Sequence, residues 1–457
     1  MNRIRGRSLA VATVLACWLL SLVLPHFQEK MKTLFVVIQI LISLILFLSI
    51  KKILLDEPQI SDLTANLVLI IIVMAHFISL GLVKINITEP YILWNRFGSG
   101  TMLKNNDIYP FGDLSHLTSA ASCSKSIVIG ENLCDPFNRI FNQNPQVIEF
   151  MKLANLKNAF VLGIFTSLLF YASIYLINSK HKRLRLQVLV ATISPPLVLA
   201  LDRGNEIITI TLINFGVFFI LGRKKLYNLG YFLIGISAIF KVWPTFLALY
   251  ILMFNYRKLS FMTKVVLLTP IIYWSLFYKN LFGMVDSTQY RSPYGLSFGL
   301  KHLVNNSLET PILWIYAVLI VISFVYFLNQ IKLQSSYSYQ SVNLILPFYL
   351  TYVSLWISGI HFSYRLVVLI PIFVLLQGYK ENTFDAVWVN SIVLTCLITA
   401  RLSITTALTS IMALVFCIMV LKELNFNRFK SIFSSADLAN KLFTRPFFRN
   451  NHIASGK

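Results

Sequence analysis

"NSKHKRLRLQ", residues 178–187, decides how the rest of the chain is read. Lys180, Lys182, Arg183 and Arg185, with His181 among them, crowd into a connection between two apolar runs, 156–177 and 186–201. A basic cluster between apolar runs is the topogenic pattern of membrane proteins, whose cytoplasmic connections collect Lys and Arg. Both neighbouring runs therefore read as helices that meet at the cytoplasmic side.

Working outward, the same alternation recurs to both ends. The 457 residues are 56% hydrophobic and only 13% charged, which is more apolar surface than a soluble core conceals. A helix of roughly 20 apolar residues crosses a hydrocarbon core of ~30 Å. The expected fold class is all-α, a polytopic transmembrane helical bundle of about 13 helices by span length. The net charge of +22 would suggest nucleic acid if it formed a stripe on a soluble module. Here it sits in short connections, so the expected partner is the lipid bilayer and no nucleic acid is expected. The first run, Ser8–Leu24, follows Arg3, Arg5 and Arg7 and has no small-residue cleavage site after it, so it reads as an uncleaved anchor.

Starting from a cytoplasmic N-terminus, 8–25 and 33–50 go out and back, and 64–84 goes out again. The longest polar segment, Ile85–Asn155, is then an outer loop, and 156–177 returns to the basic cluster, in agreement with the positive-inside rule. Next, 186–201 goes out and 207–221 returns to "GRKK"; 226–240 and 243–254 form another pair ending at "NYRK". The run 262–278 leads to a second outer loop, 279–309, and the runs 311–328, 342–357, 364–377, 386–400 and 403–421 finish inside. Residues 1–430 thus form one integral-membrane domain, followed by a basic cytoplasmic tail, 431–457. The expected localisation is the cell membrane, multi-pass, with both termini cytoplasmic.

This topology sorts the polar residues. Asp113, Asp135, Asp202, Arg203, Lys241, Asp286, Tyr290, Arg291, His361 and Arg365 all fall at or near the outer surface. Ionisable groups beside membrane segments are expensive and often functional. In "LALDRGNEIITITL", 199–212, Gly204 allows a tight outer turn between two spans, and Asn205 or Asp202 can cap the next helix. Arg203 is then presented outward with Asp202 positioning it. Cys17, Cys396 and Cys417 lie in apolar runs and read as small core residues, whereas Cys123 and Cys134 share the outer loop, where an oxidising compartment permits a disulfide. No Cys/His spacing suggests a metal site, and no cofactor is expected.

The outer loop carries "FGDLSHLTSAASC", 111–123, a short helix with Asp113 at its polar start. Two roles stand open for Asp113: a helix N-cap, or a general base beside a membrane-embedded cleft, worth ~10²–10⁴ in rate.

With these motifs the chain resembles GT-C-type membrane glycosyltransferases, in particular the family 87 polyprenyl-phosphate-mannose-dependent mannosyltransferases. The resemblance rests on Asp113-Leu114 with Ala120, Asp135-Pro136, Gly204-Asn205, Lys241-Val242-Trp243-Pro244 and Tyr364-Arg365, in that order, over roughly residues 95–380. Each motif is weak alone; their order and common outer side carry the resemblance. "NQNPQV" stands where the family usually has Tyr-Pro-Pro, a departure from the family's pattern at a segment tied to donor or acceptor fit.

The resemblance implies inverting hexosyl transfer, of mannosyl type, from a polyprenyl-phosphate sugar to a lipid or glycan hydroxyl at the outer membrane face. Asp113 would be the base. The cytoplasmic connections hold no Asp-x-Asp motif or phosphate-cradling Gly loop, so a nucleotide-sugar donor is not indicated. A lipid-phosphate leaving group needs cations at headgroup level, for which Arg203, Lys241 and Arg365 are the candidates. Asp202, Asn205, His361, Tyr290, Arg291 and Tyr364 are possible accessory residues.

Blander roles stand beside these. Lys241 next to Trp243 also fits a snorkelling anchor in an aromatic belt. Arg365 also fits a pair with a nearby acid, and His361 a structural role. The Ser-, Gly- and Tyr-rich second outer loop fits either sugar binding or an interfacial helix. Other functional classes share the architecture: a lipid-linked oligosaccharide flippase and a polysaccharide polymerase. A transporter predicts charges at helix midpoints and a repeat between halves; here charges lie at helix ends and no repeat is found.

Overall fold

The structure is a computed structural model. It describes residues 12–14, 16–17, 32–55, 61–88, 90–91, 102–104, 107–123, 134, 145–180, 185–222, 226–276, 297–298, 339–357, 361–376, 384–400 and 405–423. The chain is predominantly helical over these residues. The first helices are α1 (Lys32–Leu55) and α2 (Asp62–Lys84). Ser61 caps α2, its Oγ accepting from Thr64 N–H at 3.1 Å, and Asp62 and Lys84 sit at the ends that suit the helix dipole.

In the long polar segment after α2 come strands β1 (Met102–Lys104) and β2 (Asp107–Tyr109) and helices α3 (Gly112–Ser122) and α4 (Pro145–Leu153). The long helix α5 (Ala159–Lys180) follows; Asn158 Oδ1 accepts from the N–H groups of Phe160 and Val161 and so caps its start. Next are α6 (Arg185–Thr192), α7 (Pro195–Arg203), α8 (Asn205–Gly222), α9 (Tyr227–Phe240), α10 (Pro244–Asn255) and α11 (Phe261–Leu276). The C-terminal part holds β3 (Ser297–Phe298), α12 (Tyr339–Ile357), β4 (His361–Phe362), a 3₁₀ helix over Ser363–Val368, α13 (Leu369–Leu376), α14 (Phe384–Ile398) and α15 (Thr405–Glu423).

Among the described residues three stretches are long and apolar enough to cross a membrane: Val37–Leu54, Asp62–Lys84 and Ala159–Ser179. A fourth arises if the bent pair α7–α8 counts as one span. The apolar helices α9, α10 and α11, and the apolar stretches Ile345–Trp356 and Val389–Ile398 within α12 and α14, are shorter. The described structure therefore holds far fewer full-length spans than the expected 13 or so. Proline explains one of the interruptions. The expected span 186–201 is two helices, because Pro195 holds Ser194 before it in extended backbone (φ −69°, ψ 147°). The break between α9 and α10 falls where the runs 226–240 and 243–254 were expected to part, at the extended Lys241 (φ −137°, ψ 149°), with Pro244 in the first turn of α10. The expected runs 8–25 and 311–328 lie largely or wholly outside the described residues, as does the tail 431–457.

The all-α expectation is amended by two short antiparallel pairs. In the first, β1 meets β2 with Leu103 opposite Ile108; in the second, Phe298 of β3 pairs with His361 of β4. The second pair ties Ser297–Phe298 to the segment carrying Arg365. Cys123 and Cys134 are joined by a disulfide, Cα–Cα 5.9 Å, as expected, while Cys17 and Cys396 are buried free thiols.

The main core lies where α8 packs on α9 and α5. A Cβ on Gly216 would stand 2.7 Å from the Gly230 carbonyl oxygen, so the α8 and α9 backbones touch through paired glycines. Such close approach is how helices gain contact where lipid offers no hydrophobic drive. Hydrogen bonds inside the bundle add to it: Tyr171 of α5 meets His76 of α2 at 3.1 Å, and Asn214 of α8 donates to Ser173 of α5 at 3.2 Å. A separate small core lies around α3, where Phe111, Leu114 and Leu117 pack with Ile148 and Met151 of α4 and with Tyr91.

Candidate functional site

The short helix α3 is held in place by close contact. Phe111 precedes it in the left-handed region (φ 59°), which swings its ring onto Gly163 of α5, where any Cβ would collide. Leu114 and Phe111 also lie against Gly204, where a Cβ would meet them at 3.2 Å. Gly204 has φ +76°, a conformation that favours glycine, and closes α7 before the chain turns by 115° into α8. The expected tight outer turn between two spans is thus corrected. A short helix, buried from Pro195 to Asp202, abuts a longer one at a sharp corner, and α3 caps that corner.

This packing brings charged side chains together. Asp113, in the first turn of α3, accepts from Arg203 Nη1 at 3.1 Å, and their side chains are 17% and 24% exposed. Asp113 is not the N-cap; that position is Phe111. One residue back in α7, Asp202 is buried and its Oδ1 accepts from the Tyr91 hydroxyl at 2.7 Å.

The centre of the cluster is Glu206, in the first turn of α8 and only 1% exposed. Trp243 Nε1–H donates to its Oε2 at 3.0 Å. Arg365 Nε lies 3.6 Å, and Lys241 Nζ 3.9 Å, from its Oε1. Lys241 occupies the connection between α9 and α10. Burial pushes its ammonium pKa down; Glu206 and Asp113 act upward and Arg365 downward. The Asp113–Arg203 pair and the Glu206 group stand next to each other, because Arg203 ends α7 and Glu206 lies in the first turn of α8, three residues on across the Gly204 corner. Its side chain is 12% exposed, so a freely snorkelling anchor is not what the geometry shows. Three carboxylates (Asp113, Asp202, Glu206) stand among three cations (Arg203, Lys241, Arg365).

Of the sequence-predicted residues, the structure gathers Asp113, Arg203, Lys241 and Arg365, with Asp202 at the edge. Asn205 is the first residue of α8, between Gly204 and Glu206. Tyr364 directly precedes Arg365 in the 3₁₀ helix, which packs on α7, and His361 sits in β4. Asp135, Asp286, Tyr290 and Arg291 lie outside the described residues. Sequence reasoning missed two members, Glu206 and Tyr91. Glu206 had a signal, as the single acid at the head of the apolar run 207–221. Tyr91 had none, since its partner is 111 residues away. Among the described residues no three His, Cys, Asp or Glu side chains converge as metal ligands do.

No protein-family model, curated protein or solved structure matches the chain.

Proposed function

We propose that the chain is a GT-C-type glycosyltransferase that moves a hexosyl group, of mannosyl type, from a polyprenyl-phosphate sugar to a lipid or glycan hydroxyl. The reaction is placed at the outer membrane face. One observation carries this reading: the candidate base Asp113 and the candidate phosphate-binding residues Arg203, Lys241 and Arg365 gather in one partly shielded cluster although they come from four separate segments.

The chemistry fits the charge count. With three carboxylates and three cations, the cluster is neutral at rest. Asp113 exchanges Arg203 for the acceptor hydroxyl and takes its proton. The acceptor oxygen attacks the anomeric carbon, and the bond from that carbon to the phosphate oxygen breaks with its electron pair on the phosphate. A phosphodiester with one negative charge becomes a phosphomonoester with two, while Asp113 becomes neutral. The cations then outnumber the carboxylates by one at the moment the leaving group gains its charge. Preorganised positive charge in a poorly hydrated site stabilises such a transition state strongly. Arg203, released from Asp113, is shaped to grip phosphate through two parallel hydrogen bonds.

The test is transfer from labelled polyprenyl-phosphate hexoses to membrane lipids, with the purified chain in liposomes. Asp113→Asn should lower turnover by about 10²–10⁴ while the unfolding midpoint stays close to that of the wild type. Near-normal turnover would refute Asp113 as the base.

A further inference from the structure

A second polar feature lies on the opposite side of α3. Asp113 and Ser115 are two residues apart, roughly 200° around the helix. The Ser115 side borders an open cleft of about 730 Å³, lined by Ser115 and Ser119 of α3, Lys84 at the end of α2, and Asn155, Lys157 and Phe160 at the start of α5. Lys84 Nζ sits 4.2 Å above the Phe160 ring. Neither Lys84 nor Lys157 pairs with an acid among the described residues.

The cleft lies where two membrane-length helices end, α2 at Lys84 and α5 at Ala159. An exposed apolar stripe on α5, Val161, Phe165 and Leu168, begins beside it, one turn after the cleft residue Asn158. The spacings of three and four residues keep the stripe on one helix face. A basic, hydroxyl-lined cleft beside an apolar track has the outline of a charged amphiphile, and its volume is that of a small-ligand site.

We infer that this cleft holds the headgroup of an anionic glycerophospholipid. Lys84 and Lys157 face its phosphate, and Ser115, Ser119 and Asn155 offer partners to headgroup hydroxyls. An acyl chain runs along the α5 stripe. The site is separate from the transfer chemistry and is tested without it.

The test measures binding of short-chain phosphatidylglycerol to the full chain in detergent, with phosphatidylcholine and a polyprenyl phosphate as competitors. Lys84→Gln and Lys157→Gln should each weaken phosphatidylglycerol binding about fivefold, and both together about thirtyfold, since each basic residue near a lipid surface contributes on the order of 1 kcal/mol. Ser119→Trp, which fills the cleft and leaves both lysines, should abolish binding. Phosphatidylcholine should compete weakly. Wild-type affinity in the double lysine variant, or in Ser119→Trp with an unchanged unfolding midpoint, would overturn the site. Displacement by polyprenyl phosphate at lower concentration than by phosphatidylglycerol would overturn the assignment to a glycerophospholipid.

Discussion

Glu206→Gln removes one charge and little else. Glutamine has the same size, and its amide oxygen can still accept from the Trp243 indole N–H, now 3.0 Å away. What disappears is the counter-charge for Arg365 and Lys241, at 3.6 and 3.9 Å. At an effective dielectric of about 20, unit charges so separated attract by about 4 kcal/mol. Two such attractions are lost, together with the carboxylate's own desolvation penalty, which is several kcal/mol per ion. The net expectation is a loss of about 3–5 kcal/mol, the usual cost of stranding buried charge.

The assay is unfolding of the purified chain in mixed micelles of mild detergent and SDS, followed by tryptophan fluorescence. Adding Lys241→Met to Glu206→Gln removes one stranded cation and should recover about half of the loss, so the two substitutions are non-additive. Because the carboxylate is buried, the effect should change little with salt. A loss below about 1 kcal/mol for Glu206→Gln, or strict additivity in the pair, would show that Glu206 is not the centre of the cluster.

Two further substitutions probe the frame around the cluster. Tyr91→Phe removes the hydroxyl that donates to buried Asp202 and should cost about 1.5–3 kcal/mol in the same assay, the range for hydrogen bonds to charged groups; no measurable change would remove Tyr91 from the site. Gly230→Ala places a methyl 2.5 Å from the Gly216 carbonyl oxygen and should cost about 1–3 kcal/mol by forcing α8 and α9 apart; a neutral outcome would mean that the two backbones do not touch.

Much of the site could be read along the chain. Arg203, Lys241 and Arg365 stood out as charged residues at the ends of apolar runs, and Asp113 as the acid at the start of a short helix in a polar segment; the grouping of many on one side, rather than any one alone, marked them. That Cys123 and Cys134 share one polar segment was legible, which allowed a disulfide without deciding it; the structure joins them. Partnership was not legible. Arg203 was expected to point outward with Asp202 positioning it, yet Arg203 pairs with Asp113 and Asp202 accepts from Tyr91. Arg365 was expected to meet a nearby acid or a headgroup, and the acid is Glu206, which is 159 residues earlier.

By itself the sequence determined the helical character, the apolar stretches of span length and the residues whose charge demands an explanation. These follow from local properties: side-chain hydropathy, the 3.6-residue period, and the effect of Pro and Gly on the backbone. The tertiary structure alone decided that α7 is a buried half-length helix, that α3 folds inward over Gly204 and Gly163, and that Glu206 draws Lys241, Trp243 and Arg365 to one point. Hydropathy marks which residues avoid water, whereas an ion pair depends on where distant segments meet. That meeting is set by how closely two backbones can pack, and here glycines at Gly163, Gly204, Gly216 and Gly230 allow it.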